Sequence, residues 1–193
     1  MSANLKQHIL NTKLLTKHKG VIVELDNRET SEILDGIAKE LSEGAEIVEL
    51  KQIHISDNVF LETAQKTKQL CELFGATFII NNRADIAYLT SADCVNLEQK
   101  DIDIDSAGSL LKKESLIGRE INTHEDMRNL VKAGADYTIS TIYPAPNEPV
   151  VKTGLEYAKW VSENTLLPAL IRENLSQMDC FIRYDLIVML AEN

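Results

Sequence analysis

The segment CELFGATFIINN, residues 71–82, joins a helix-like stretch to a strand-like stretch through a glycine and an alanine. AKELSEGAEIVEL (38–50) and NLVKAGADYTIST (129–141) repeat the same order. A glycine just past the last helical turn takes the left-handed conformation that ends a helix. A short, mostly apolar, β-branched run is typical of a strand covered on both faces. The pattern therefore predicts a helix-to-strand unit at each of Gly44, Gly75 and Gly134.

The spacing of these glycines predicts further units of the same kind. Gly44 and Gly75 are 75 − 44 = 31 residues apart, and Gly134 lies 134 − 75 = 59 residues further on, close to two units. We predict eight strands, at 20–25, 46–51, 76–81, 93–97, 116–121, 136–142, 167–171 and 185–190. Helices are predicted at 29–43, 57–73, 83–90, 105–113, 123–133 and 153–164. Eight strands alternating with helices favour an α/β fold, a (β/α)8 TIM barrel, although ~250 residues is the usual length.

The two ends of the chain complete this prediction. Leu5, Ile9, Leu10 and Leu14 have helical spacing, so we expect residues 1–19 to form an amino-terminal helix packed on the barrel. Residues 20–193 form the barrel domain. The connection RENLSQMDCFIRY (172–184) is too short for a full helix, and the chain stops at the eighth strand, so we expect a short barrel without a closing helix.

Composition excludes several classes of function. Thirty acidic against twenty basic residues give a net charge of -10, which argues against a nucleic-acid-binding surface. No secretory signal is evident, and no apolar run approaches the ~18 residues that span a membrane. The three cysteines lack metal-binding spacing, and no glycine-rich phosphate loop occurs. We expect a cytoplasmic protein with no membrane partner; homo-oligomerisation stays open.

Polar residues follow the predicted strands at the edge where parallel α/β folds bind ligands. They include Glu49, Lys51, Asn81, Asn82, Asp101, Glu120, Thr141, Tyr143 and Arg172. One interpretation is a polar plug, in which Glu49, Lys51, Glu120 and Arg172 pair with one another. The other is a binding site, in which Lys51 and Arg172 bind an anion while Asn82 and Asp101 hold a divalent metal through oxygen, as Mg²⁺ prefers.

Several segments carry a family resemblance. They are VELKQ (48–52), FIINNRADIA (78–87), SADCVNLEQKDI (91–102), LIGREINTHED (116–126), AGADYTISTIYPAPNEP (133–149) and LLPALIRENL (166–175). Together they resemble thiamine phosphate synthase and its sister group, the thiazole tautomerases. The resemblance implies a (β/α)8 barrel that joins hydroxymethylpyrimidine pyrophosphate to thiazole phosphate and releases pyrophosphate with Mg²⁺ bound. The implied partner is therefore a small phosphorylated molecule.

Position at the strand ends and the resemblance together give the candidate site residues, and the catalytic residue stays unknown. The candidate substrate-binding residues are Glu49, Lys51, Asn81, Thr141, Tyr143 and Arg172, and the candidate metal ligands are Asn82 and Asp101. Asn81 and Asp101 match the family residues at their positions. Asn82 stands where a second metal-binding aspartate is expected, and Glu49 stands where a glutamine is expected. Lys51 replaces an arginine, which keeps the charge but loses the bidentate fork.

Other positions depart from the family pattern. Glu120 falls where a serine is expected, Glu148 where a pyrophosphate-binding lysine is expected, and the stretch from Arg172 to Asn174 where Gly-Gly-Ile is expected. At these positions a reversed charge turns attraction into repulsion. Two unit charges ~4 Å apart at an effective dielectric of ~20 interact with an energy of about 4 kcal/mol per pair.

Three hypotheses follow. The first is a thiamine phosphate synthase-like enzyme of thiamine biosynthesis with a divergent, impaired active site. The second is a non-catalytic barrel that binds a ligand or partner. The third is another barrel enzyme in which Glu49, Glu120 or Glu148 acts as an acid or base.

Overall fold

Eight parallel strands close into a barrel in which each strand pairs with the next and β8 pairs with β1. A computed structural model describes residues 3–121, 126, 129–130, 133–141, 160, 163–164, 167–173 and 187–191. The strands are β1 Lys19–Leu25, β2 Ile47–Gln52, β3 Thr77–Asn81, β4 Cys94–Leu97, β5 Leu116–Glu120, β6 Tyr137–Thr141, β7 Ala169–Glu173 and β8 Ile187–Ala191. The predicted TIM barrel is confirmed, with every strand within two residues of its predicted start.

Helices occupy the connections that the structure describes. They are α1 Ala3–Leu10, a π-helical segment Asn11–Leu15, α2 Thr30–Ser42, α3 Asp57–Phe74, α4 Ala84–Thr90 and α5 Ile104–Leu110. The predicted helices at 123–133 and 153–164 lie largely outside the described residues. Among the described residues, no helix combines the length and apolar character needed to cross a membrane.

The junctions behave as the glycine pattern predicts. Gly44, Gly75 and Gly134 all have positive φ, at 96°, 67° and 83°. At the other end of α3, the Ser56 hydroxyl accepts a hydrogen bond from the Val59 N–H at 3.4 Å, which caps the helix. Local turn chemistry therefore fixes where each helix ends and where the next strand begins.

Side chains of each strand alternate between two cores. Outward residues such as Val48, Leu50 and Ile80 pack against the helices in the larger core. Inward residues form a second core inside the barrel, made of Ile47, Ile79, Cys94, Leu116, Tyr137, Ile139, Leu170 and Met189, together with Leu14. Because the period is two, the residues two positions further along these strands face the same interior at the carboxyl end.

The segment before β1 covers the amino-terminal end of the barrel. Leu14 is fully buried in the interior core. The Thr77 hydroxyl donates to the Lys13 carbonyl at 2.5 Å, and the Lys13 ammonium pairs with Asp93 at 2.8 Å. The interior is therefore packed at this end, which leaves the carboxyl end for polar side chains.

Candidate active site at the barrel mouth

Inward polar side chains of five strands occupy the carboxyl end of the barrel, which we call the mouth. The mouth comprises Glu49 and Lys51 on β2, Asn81 on β3, Asn96 on β4, Glu120 on β5 and Arg172 on β7. Each lies two or four positions after a residue of the interior core, so alternation alone directs it inward.

Glu49 belongs to the mouth and is 0% exposed. Its Oε1 accepts a hydrogen bond from Asn81 Nδ2 at 2.9 Å and another from Arg172 Nη2. A carboxylate this deeply buried requires a cation and hydrogen-bond donors, because burial of an unpaired charge is costly. Arg172 and Asn81 supply both.

The charge state of Arg172 is influenced by more than one carboxylate. Its side chain is 11% exposed. Burial by itself lowers the pKa of the guanidinium, but the charge and hydrogen bond of Glu49, together with the charges of Glu120 and Glu98, raise that pKa above its usual value. Arg172 therefore stays charged.

Lys51 on β2 forms an ion pair with Glu24 on the neighbouring strand β1. Its ammonium lies 3.4 Å from Glu24 Oε1, and the two residues are direct register partners on β2 and β1. Both side chains are partly exposed, at 34% and 58%, so water screens this pair.

Asn96 and Tyr137 form a second buried pair beneath the mouth. The Tyr137 hydroxyl donates to Asn96 Oδ1 and lies 3.2 Å from the Val95 carbonyl. Gly118 is the register partner of Tyr137, and a methyl group at Gly118 would overlap the tyrosine ring. Tyr137 thereby orients the Asn96 amide.

Four buried polar atoms at this end have no hydrogen-bond partner among the described residues. They are Glu49 Oε2, Asn82 Oδ1, Asn96 Nδ2 and Arg172 Nε. Buried polar atoms are normally paired, and leaving one unpaired costs about 1–3 kcal/mol. Two acceptors and two donors are therefore unsatisfied by the described part of the chain.

The two predicted metal ligands, Asn82 and Asp101, lie in different local structures. Asn82 follows β3 in the left-handed conformation, with φ 62°, and its N–H donates to the Asn96 carbonyl at 2.8 Å. Asp101 Oδ2 accepts from the Glu98 N–H at 2.7 Å, which closes the turn after β4. In the described part of the chain, no group of three or more His, Cys, Asp or Glu side chains could hold a metal. Asn82 and Asp101 each carry a side-chain oxygen of the kind that Mg²⁺ prefers, with a single negative charge between the two residues.

The remaining predicted residues are only partly described. Thr141 is the last residue of β6, and Glu120, the last of β5, is half-buried, with its carbonyl accepting from Gln99 Nε2 at 3.0 Å. Tyr143, Glu148 and Asn174 lie outside the described residues. The structure thus brings together Glu49, Asn81 and Arg172, and directs Lys51 toward Glu24.

Sequence reasoning missed two contributors to this geometry: Tyr137 and Glu24. Asn96 lies two residues after the buried Cys94, and strand alternation places it inward. Glu24 pairs with its register partner on β2, and Tyr137 reaches Asn96 past its own register partner on β5; register is set only when the barrel closes.

Comparisons of the sequence with known proteins all indicate the same family. The sequence profile of the family described as thiamine monophosphate synthase matches residues 21–171. The chain is 33% identical over 138 residues to the thiamine-phosphate synthase of Nostoc punctiforme, covering 70% of this chain and 39% of that protein. It is 32% identical over 139 residues to the thiamine-phosphate synthase of Syntrophomonas wolfei, covering 70% of this chain and 66% of that protein. The chain thus spans well under half the length of the Nostoc relative.

A solved structure agrees on the fold. The thiamine phosphate pyrophosphorylase of Pyrococcus furiosus superposes with a TM-score of 0.73 at 21% identity, covering 89% of this chain and 84% of that one.

Proposed function

This chain belongs to the thiamine monophosphate synthase family, and on that premise we propose that its barrel mouth performs the thiamine phosphate synthase reaction of thiamine biosynthesis. In this reaction the bond between the pyrimidine methylene and pyrophosphate breaks, and pyrophosphate leaves with the electron pair. The lone pair of the thiazole nitrogen then forms the new bond to that methylene carbon, and the thiazole becomes a positively charged ring.

One observation carries the proposal. Four buried atoms that have no partner in the described part of the chain, Glu49 Oε2, Asn82 Oδ1, Asn96 Nδ2 and Arg172 Nε, all belong to residues at the carboxyl end of one barrel. Barrel enzymes place their active sites at this face. Small heterocyclic substrates carry donors and acceptors in close proximity, so they can satisfy such a mixed set.

The chain's own residues have distinct tasks in this proposal. Asn81 and Arg172 hold the Glu49 carboxylate in one orientation. Arg172 Nε can donate to an anionic oxygen of a phosphorylated substrate. Asn82 and Asp101 would hold Mg²⁺, and the bound ion would neutralise charge on the departing pyrophosphate. With one carboxylate in that pair, we expect a weak metal site.

A second candidate is a non-catalytic barrel that binds a ligand of the same pathway. The observation that favours it is that both mouth cations have carboxylate partners: Arg172 with Glu49, and Lys51 with Glu24. A cation that already has a partner is less available to pyrophosphate. We also propose a cytoplasmic location for either candidate, with a small phosphorylated molecule as the ligand.

The test is direct product formation. Purified protein is incubated with hydroxymethylpyrimidine pyrophosphate, thiazole phosphate and MgCl₂, and thiamine phosphate is quantified chromatographically. Formation of thiamine phosphate that requires both substrates supports the synthase. Absence of product at high enzyme concentration, with calorimetric binding of either substrate retained, supports the non-catalytic barrel.

A further inference from the structure

We propose that Glu49 is a charge-recognition residue, whose free carboxylate oxygen makes the mouth select a positively charged nitrogen heterocycle over a neutral one of the same shape. The inference rests on the proposed function, because the product of that reaction carries a quaternary ring nitrogen. It assigns a separate role to Glu49, which can be measured without turnover.

The first support is the state of the carboxylate itself. Glu49 is fully buried, and both described donors, Asn81 and Arg172, bond to the same oxygen, Oε1. Oε2 is buried and has no partner among the described residues. An ionised carboxylate only accepts hydrogen bonds, so the group that satisfies Oε2 must be a donor or a cation.

The second support is the position of the cations of the mouth. Arg172 pairs with Glu49 through Oε1, and Lys51 lies 3.4 Å from Glu24. Within the described part of the chain, both cations of the mouth therefore have carboxylate partners, and neither contacts Glu49 Oε2.

The third support is that the proposed reaction creates a positive charge, which the Glu49 carboxylate can stabilise. The thiazole nitrogen is neutral before it attacks and positive once its bond to the methylene carbon has formed. A buried carboxylate beside the forming bond stabilises the positive charge more strongly than it would in water, because the surroundings screen it less. A glutamine, which the family resemblance places at this position, lacks the charge.

A purely structural role for Glu49 makes the opposite prediction. If Glu49 only anchors Arg172 and Asn81, the guanidinium of Arg172 neutralises its charge, and the charge of a ligand has no effect on binding. The two readings therefore differ in one quantity, which is the ratio of affinities for a cationic ligand and its neutral isostere.

The experiment is calorimetric titration with two probes. One is thiamine, and the other is the analogue in which a carbon replaces the quaternary nitrogen, which makes the second ring neutral. For the wild-type protein we expect thiamine to bind at least tenfold more tightly. In Glu49→Gln, which keeps the shape and can still accept from Arg172, the ratio should fall below about threefold. Glu62→Gln removes the same charge from the exposed outer face of α3 and should leave the ratio unchanged.

A second variant separates recognition from anchoring. Arg172→Gln removes the cation that competes with the ligand for Glu49. If Glu49 recognises the charge of the ligand, the preference for thiamine should therefore persist or increase. A wild-type ratio near one, or an unchanged ratio in Glu49→Gln, overturns the inference. Neither result depends on product formation, so a protein that selects thiamine without making thiamine phosphate contradicts only the proposed catalysis.

Discussion

Arg172 on β7 reaches across the barrel mouth to Glu49 on β2, with β8 and β1 between their strands around the ring. The side chain of Arg172 thus ends on the fully buried carboxylate of a strand that is not its neighbour. This contact ties two distant strands together and, at the same time, sets the charge of the candidate site.

Removing the carboxylate of this pair should destabilise the fold. Glu49→Ala leaves Arg172 charged and nearly buried without its principal partner, and we expect a loss of about 3–5 kcal/mol in the free energy of unfolding. Urea denaturation followed by circular dichroism measures the loss. Glu62→Ala, at a solvent-exposed pair with Lys66, should cost less than about 0.5 kcal/mol. Equal effects of the two substitutions would argue against a structural role for the pair.

A second carboxylate at the predicted metal pair should strengthen Mg²⁺ binding. Asn82→Asp makes the buried side-chain oxygen part of a negatively charged carboxylate, and aspartate tolerates the left-handed backbone that Asn82 adopts. We expect the Kd for Mg²⁺, measured calorimetrically, to fall at least tenfold. Asn11→Asp, exposed near the opposite end of the barrel, is the matched control and should have no effect. An unchanged Kd in Asn82→Asp would place the metal elsewhere.

The segment before β1 should contribute to stability through Leu14. This side chain is fully buried in the interior core, so Leu14→Ala should lower the free energy of unfolding by about 2–5 kcal/mol. Leu73→Ala, at a side chain that is 79% exposed, should change it by less than about 0.5 kcal/mol. A small effect at Leu14 would contradict our proposal that residues 1–19 pack on the barrel as part of its core.

The close approach of β5 and β6 should make Gly118 intolerant of any side chain. Gly118→Ala places a methyl group against the Tyr137 ring, and overpacking of this kind costs about 1–3 kcal/mol. The same change at Gly108, inside α5, has room and should stabilise the helix by about 0.5–1 kcal/mol. Thermal unfolding of both variants checks the opposite signs; stabilisation by Gly118→Ala would contradict this packing.

Two buried thiols should resist modification. Burial raises the pKa of Cys71 to about 12, and it raises the pKa of Cys94 well above its usual value. At pH 8 an alkylating reagent should label neither residue in the folded protein, and both after denaturation. Because the folded state favours the protonated thiol, Cys71 contributes stability below about pH 9 that is lost as pH rises toward 12. Peptide mapping by mass spectrometry measures the labelling, and rapid labelling of folded Cys71 would contradict its burial.

The fold follows closely from local patterns. The glycines that end three of the helices and the short, mostly apolar runs together locate all eight strands, because helix termination and two-sided burial are properties of neighbouring residues. The exact strand limits shift by one or two positions: β2 begins at Ile47 and β7 ends at Glu173. Closure of the ring followed from the number of strands.

The site was less predictable, for a physical reason. Alternation correctly directs Glu49, Asn81 and Arg172 inward, but it does not say which of them meet across the ring. Whether Lys51 binds an anion or another residue depends on its register partner, Glu24, and sequence spacing within one strand does not contain that information. The plug and the binding site were therefore equally compatible with the sequence. The structure shows paired side chains together with four buried polar atoms that have no partner among the described residues.

The most direct test is a crystal structure of the protein with thiamine phosphate and MgCl₂. Our account predicts ligand density in the mouth, with a hydrogen-bond donor or the positively charged ring against Glu49 Oε2 and acceptor atoms within hydrogen-bond distance of Asn96 Nδ2 and Arg172 Nε. Density for thiamine phosphate at any other surface, with the mouth holding only water, would contradict it.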